Sequence, residues 1–197
     1  MRVYLQYWMD MFRFAAKGSV RYYAWLGFLG LLVAMGFSTY LDQLEYGLEI
    51  TNLSQQVSWG VYIANFTFLV GIAAAAVLLV IPTYVYHRQD IKKVVLIAEL
   101  MAASAMIMCI LFVTVDLGRP ERFIHLLPFV GKLNLPSSML AWDIIVLSGY
   151  LILNLHVPGY LLFQSYRNRE PAKWLYQPFV FLSIFWAVSI QTVTAFL

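Results

Sequence analysis

Two carboxylates stand inside stretches that otherwise have the composition of bilayer-spanning helices. Glu99 lies in VVLIAELMAASAMIMCILFV and Asp143 in SSMLAWDIIVLSGYLILNL. A charged group in hydrocarbon costs at least ~2.5–3.5 kcal/mol even on the lenient insertion scale, so it persists only where protein or water surrounds it. The chemistry open to such an acid is to move a proton or to hold a ligand. Asp143 has company at its depth. Trp142 precedes it, Tyr62 and Asn65 open one neighbouring apolar stretch, and Asp116 and Arg119 close another, followed by Arg122 and His125. At 1.5 Å per residue, Asn65 and Asp143 lie about one to two turns inside the same membrane surface. A carboxylate held there can serve as a general base, which makes Asp143 the candidate catalytic group. The plainer alternative is interfacial decoration, with Trp and Tyr in a belt and Arg119 capping its helix or pairing with Asp116. Glu99 lies near the opposite surface, roughly 8 Å in. It either feeds protons from that side or bonds to a neighbouring helix.

The elements that must position these groups follow from composition. Hydrophobic residues make up 62% of the 197 and charged residues 12%, with a mean hydropathy of +0.75. Soluble domains average about 25% charged residues, so the expected class is an all-α integral membrane protein. Five segments reach the ~20 apolar residues of one span: Tyr22–Leu41, Trp59–Tyr86, Val94–Val115, Met139–Leu162 and Pro178–Leu197. None alternates in the manner of barrel strands, and none is visibly broken at mid-membrane as transporter helices often are. Short connections make helices 2–5 an antiparallel four-helix bundle, close-packed through Gly71 and the Ala73–Ala76 run. The organisation expected is an N-terminal segment over 1–21, a first span over 22–41, and the bundle over 59–197.

Ten of the thirteen Lys and Arg residues fall on one set of loops, including Arg13, Arg88 and Arg167, and only Arg119, Arg122 and Lys132 on the other. The positive-inside rule then puts the N-terminus in the cytoplasm, with Asp42–Ser58 and Asp116–Ser137 outside. The basic residues are anchors against the lipid bilayer, and the net charge of +3 is no sign of nucleic acid. The first apolar run is too long for a signal-peptide core and has no clean small-x-small cleavage site, so an uncleaved helix is expected. Before it, Leu5, Trp8, Met9 and Phe12 share a helical face, which suits an interfacial helix or a partner contact.

Cofactors that need several ligands are disfavoured. Cys109 is the single cysteine and cannot hold an iron–sulfur cluster by itself; it reads as packing. The three histidines, His87, His125 and His156, do not face one another across the bilayer as a bis-histidine haem requires. No metal site is expected.

Four strings look familiar: WGVYIANFTFLVGIAAAA at 59–76, DLGRPERF at 116–123, AWDIIVLSGYLILNL at 141–155 and WAVSIQTVTAF at 186–196. Together they resemble the NrfD / polysulfide-reductase membrane-subunit family, and within it the DsrP branch linked to dissimilatory sulfur metabolism. The resemblance implies a haem-free and metal-free subunit of a respiratory redox complex in a prokaryotic cytoplasmic membrane. It would bind menaquinone or another quinone towards the outer face and exchange electrons with a ferredoxin-like iron–sulfur subunit on the outer side, beside other membrane and cytochrome subunits. By motif position it carries cofactor-binding roles onto Tyr62, Asn65, Asp116, Arg119, Trp142 and Asp143. Arg119 would stabilise negative charge on the ring or hold Asp116. Two departures stand out. Gln191 occupies a position that is usually His, and five spans are present where members have eight to ten, so the chain is expected to be the N-terminal half of a longer protein. A transporter or channel, or a passive anchor for a redox complex, are the rival classes.

Overall fold

Long apolar runs leave the backbone no water to bond to, so each closes its hydrogen bonds within itself as a helix. The structure, a computed structural model, describes residues 2–54, 56, 60–84, 86, 92–126 and 130–196. Its described residues contain no strand, and five helical spans are long and apolar enough to cross a bilayer. The chain is a multi-pass membrane protein. It divides into two units, Met1–Asn52 and Leu53–Leu197.

The first unit holds α1 (Arg2–Ala16) and α2 (Val20–Tyr46). Ser19 caps α2, its hydroxyl accepting from the Tyr22 amide at 3.4 Å. The Tyr22 hydroxyl donates to Ala15 O at 2.9 Å, and that of Tyr23 to Ala16 O, so the junction is tied at the membrane-entry point. Leu5, Trp8, Met9 and Phe12 of α1 are exposed, which keeps both the interfacial and the partner-contact readings. Helix α2 runs five residues past the expected end at Leu41. Asp42–Glu45 are no barrier to helix, and the stop comes at Gly47, whose φ of 79° is left-handed and whose N–H closes onto Gln43 O at 2.8 Å.

The second unit is built from α3 (Val61–Ala75), α4 (Val77–Tyr84), α5 (Lys92–Asp116), α6 (Met139–Tyr166) and α7 (Lys173–Thr194). Helices α3 and α4 together make one span, α5 packs between it and α6, and α7 closes the ring against α6 and the α3–α4 span. Cross-links fix an antiparallel register: Cys109 Sγ to Phe66 O at 3.6 Å, the Tyr62 and Phe112 rings 6.4 Å apart, and Trp186 Nε1 donating to Val146 O at 2.8 Å. The last contact needs Gly149, where a Cβ would lie 2.3 Å from the Trp186 ring.

Two expectations about these spans are corrected. Val61–Tyr84 is not one uninterrupted helix. At Ala76 the ladder is irregular: its N–H reaches both Ala73 O and Ala74 O, and the amides of Leu79 and Val80 converge on Ala76 O. Pro82, six residues on, has no N–H to give Leu78 O. Helix α7 starts at Lys173 rather than at Pro178, and α6 continues through Pro158 to Tyr166. Packing against neighbours holds both helices past prolines that would end them in isolation.

Candidate functional site

Asp143 is the fifth residue of α6, whose first turn is capped by Ser138 accepting from the Ala141 amide at 3.3 Å. On this helix the buried stripe runs Asp143, Leu147, Tyr150, Asn154 and Val157, at the i, i+4, i+7 spacing of one face. Asp143 is 2% exposed and its Oδ1 has no hydrogen-bond partner. It lies within electrostatic range of the Cys109 thiol on α5, which places it at the level of Phe66. Unpaired buried carboxylate oxygens are costly, so each asks for a proton, a water or a ligand donor. A narrow cleft of about 30 Å³ lies beside it between α5 and α6, lined by Ile110, Val113, Phe123, Ile144, Leu147 and Ser148. That is room for one water.

The other residues expected around Asp143 divide. Asn65 is next to Phe66 and so shares the level; it is half-buried, and one of its amide hydrogens goes to Val61 O of its own helix at 2.8 Å. Tyr62 is one turn nearer the 117–138 connection, its half-buried ring beside Phe112. Trp142 is partly buried, but its indole N–H donates to Pro136 O at 3.0 Å, so that donor fastens the incoming loop. Of the alternatives open to Arg119, pairing with Asp116 is not made: no ion pair joins these two described residues. The reason is local. Gly118, at φ 66°, turns the chain off α5 between them, leaving Asp116 half-buried and Arg119 exposed.

Glu99 is inside the bundle towards the opposite end. It is 4% exposed, Oε2 has no partner, and the hydroxyls of Tyr84 and Tyr150 lie within its electrostatic range. The α3–α5 register puts it level with Ala76, where the second span is irregular. Tyr150 and Asn154 were not singled out from sequence. Tyr150 OH donates to Ala73 O at 3.1 Å, and Asn154 Nδ2 to Tyr150 O at 2.9 Å. Their signal was present in the chain, as the two polar members seven and eleven residues after Asp143. Of the histidines, His125 is exposed and His156 packs on Phe179 with ring centroids 4.6 Å apart, while His87 lies outside the described residues. Among the described residues no three His, Cys, Asp or Glu side chains gather as a metal site.

A bundle with orphaned acids near each end has relatives. Residues 49–197 match the polysulphide reductase, NrfD family. The chain belongs to the NrfD family. Curated relatives are membrane subunits of reductase complexes. One is a selenate reductase subunit of Mesobacillus selenatarsenatis, 28% identical over 141 residues, covering 72% of this chain and 32% of that protein. Another is the Hdr-like menaquinol oxidoreductase integral membrane subunit of Archaeoglobus fulgidus, 26% identical over 176 residues, covering 89% and 41%. A third is a putative dimethyl sulfoxide reductase membrane subunit of Halobacterium salinarum, 32% identical over 130 residues, covering 66% and 29%. This NrfD-family chain thus spans less than half the length of each relative it matches. No solved structure matches it.

Proposed function

We propose that this NrfD-family chain is the quinone-reactive part of a membrane redox complex, with its site around Asp143. The carrying observation is the buried Oδ1 of Asp143, which lacks a partner at a level shared with Asn65. An acceptor without a donor fits a ligand that brings a hydroxyl, as a quinol does. The relative from Archaeoglobus fulgidus bears menaquinol in its name, which makes a menaquinone-type ring the first candidate. A bound quinol supplies two electrons and two protons. Asp143 takes a proton as general base; the free amide hydrogen of Asn65 and the Tyr62 hydroxyl orient the ring; and apolar Ile144, Leu147 and Val113 keep water out. Asp116 and Arg119 lie one to two turns further out, where they set the charge at the mouth. The electrons leave to a partner subunit, for which an iron–sulfur protein on the 117–138 side is the proposal. By the basic-residue asymmetry that side is the outside of a prokaryotic cytoplasmic membrane. Glu99 exchanges protons with the cytoplasmic side.

Titration of the intact purified complex with a menaquinone analogue tests this reading. Saturable binding that weakens in Asn65→Ala and Asp143→Asn supports it, and absence of saturable binding returns the chain to a passive anchor or a transporter. The transporter reading draws on one observation, the irregular backbone at Ala76 level with the buried Glu99, since transporters interrupt helices at their ion sites.

A further inference from the structure

The two unpaired carboxylates share the interior of one bundle and are separated along it. From Glu99 to Cys109, which lies within electrostatic range of Asp143, is ten residues of α5, roughly 15 Å of helix axis. Between the two levels each span of the second unit contributes a fully enclosed apolar side chain: Val70 from α3, Met106 from α5, Leu147 from α6 and Ala187 from α7, exposed by 0, 0, 2 and 4%. All four belong to one contiguous core cluster. Three cross-links bring them to a similar height. Cys109 on Phe66 O sets Val70 opposite Met106, Trp186 on Val146 O sets Ala187 beside Leu147, and Tyr150 on Ala73 O, three residues after Leu147 and Val70, joins the two pairs. Apart from half-buried Ser148, next to Leu147, the polar groups stop on either side of this layer. On one side are Asp143 and Asn65. On the other are Glu99 with Tyr84 and Tyr150, whose hydroxyl is spent on Ala73 O.

We propose that Val70, Met106, Leu147 and Ala187 form a proton barrier that assigns the two acids to opposite faces of the membrane. Asp143 exchanges protons with the 117–138 side, and Glu99 with the 167–172 side. Hydrophobic constrictions gate by excluding water, and a layer without an ionisable side chain offers a proton no carrier. The inference needs only the membrane-spanning bundle and stands apart from the quinone reading.

The test is passive proton flux in liposomes containing the intact complex, driven by a potassium diffusion potential and read by an entrapped pH dye. No quinone is added, so failure of the quinone reading leaves the result unaffected. Two near-isosteric variants wet the layer, Leu147→Asn and Met106→Gln, and Leu147→Met is the dry control. Wild type and control should be tight. The polar variants should leak roughly tenfold faster, which is about 1.4 kcal/mol off the barrier. Adding Glu99→Gln to either should restore tightness, because the carrier on the far side is gone. Wild type as leaky as the variants, or assembled polar variants as tight as wild type, overturns the barrier. A leak that survives Glu99→Gln overturns the assignment of Glu99 to the far face.

Discussion

Among the described residues, buried side-chain oxygens without a partner belong to Asp143, Glu99 and Thr194, and of these only the two acids ionise. Thr67, Thr83, Ser104 and Ser183 all return their hydroxyls to a carbonyl three or four residues back on their own helix, which lets a membrane helix carry them at little cost. A carboxylate has no hydrogen to return, so it needs a proton or an outside donor. As the proposed base, Asp143 is tested by Asp143→Asn, which keeps the shape and removes the basicity. Loss of a general base costs ~10²–10⁴-fold in rate. Quinone-linked electron transfer should fall by that much, while the complex still assembles and artificial donors still reduce its partner. Normal quinone turnover in the variant would leave Asp143 a structural acid. Glu99→Gln carries a separate expectation: quinone turnover, served from the 117–138 side, is unchanged, and the proton leak opened by Leu147→Asn is lost, measured with a pH dye. A leak that persists would make Glu99 a helix-packing residue.

The elements hold these residues by a few points of close approach. Gly149 admits the Trp186 indole to α6, where its N–H reaches Val146 O. A methyl group there must push the ring out of a packed seam, and overpacking of this kind costs about 1–3 kcal/mol. Gly149→Ala should therefore lower the melting temperature of the detergent-solubilised complex, and Trp186→Phe should remove much of the sensitivity to that change. If Gly149→Ala melts with wild type, the ring is not seated as described. Tyr150 is the corresponding point on the other side, joining α6 to the irregular turn of the second span through Ala73 O. Tyr150→Phe deletes one hydrogen bond, worth about 0.5–1.5 kcal/mol. It should loosen α3–α4, seen as faster hydrogen exchange over 73–80; exchange no faster there would mean the bond does not hold the turn.

At the scale of the whole molecule, the expected topology puts the 117–138 connection outside and the 167–172 connection inside. Lys132 and Arg169 are both exposed and make suitable reporters. An impermeant thiol reagent added outside intact cells should label Lys132→Cys and spare Arg169→Cys. The opposite pattern would invert the proposed sides of both acids. The chain spans about two fifths or less of each relative's length, so electron exchange with partners is a property to be measured on the intact complex.

Sequence by itself determined the class, the five spans and the position of each acid along its helix, because apolar length and a rise of 1.5 Å per residue are properties of a single helix. It also marked Glu99 and Asp143, since the cost of an acid in hydrocarbon requires no knowledge of its neighbours. Tertiary structure decided what depends on two helices at once. The register that sets Asp143 beside Cys109 and Glu99 level with Ala76 comes from side-chain packing between spans. So do the roles of Tyr150 and Gly149, which look like ordinary lipid-span residues in the string AWDIIVLSGYLILNL. The Asp116–Arg119 pair was plausible at three residues' spacing and failed because Gly118 takes a left-handed turn between them. Helix ends moved for the same kind of reason. Pro178 removes one backbone donor, and whether α7 extends back past it to Lys173 is decided by the neighbours that hold the helix straight.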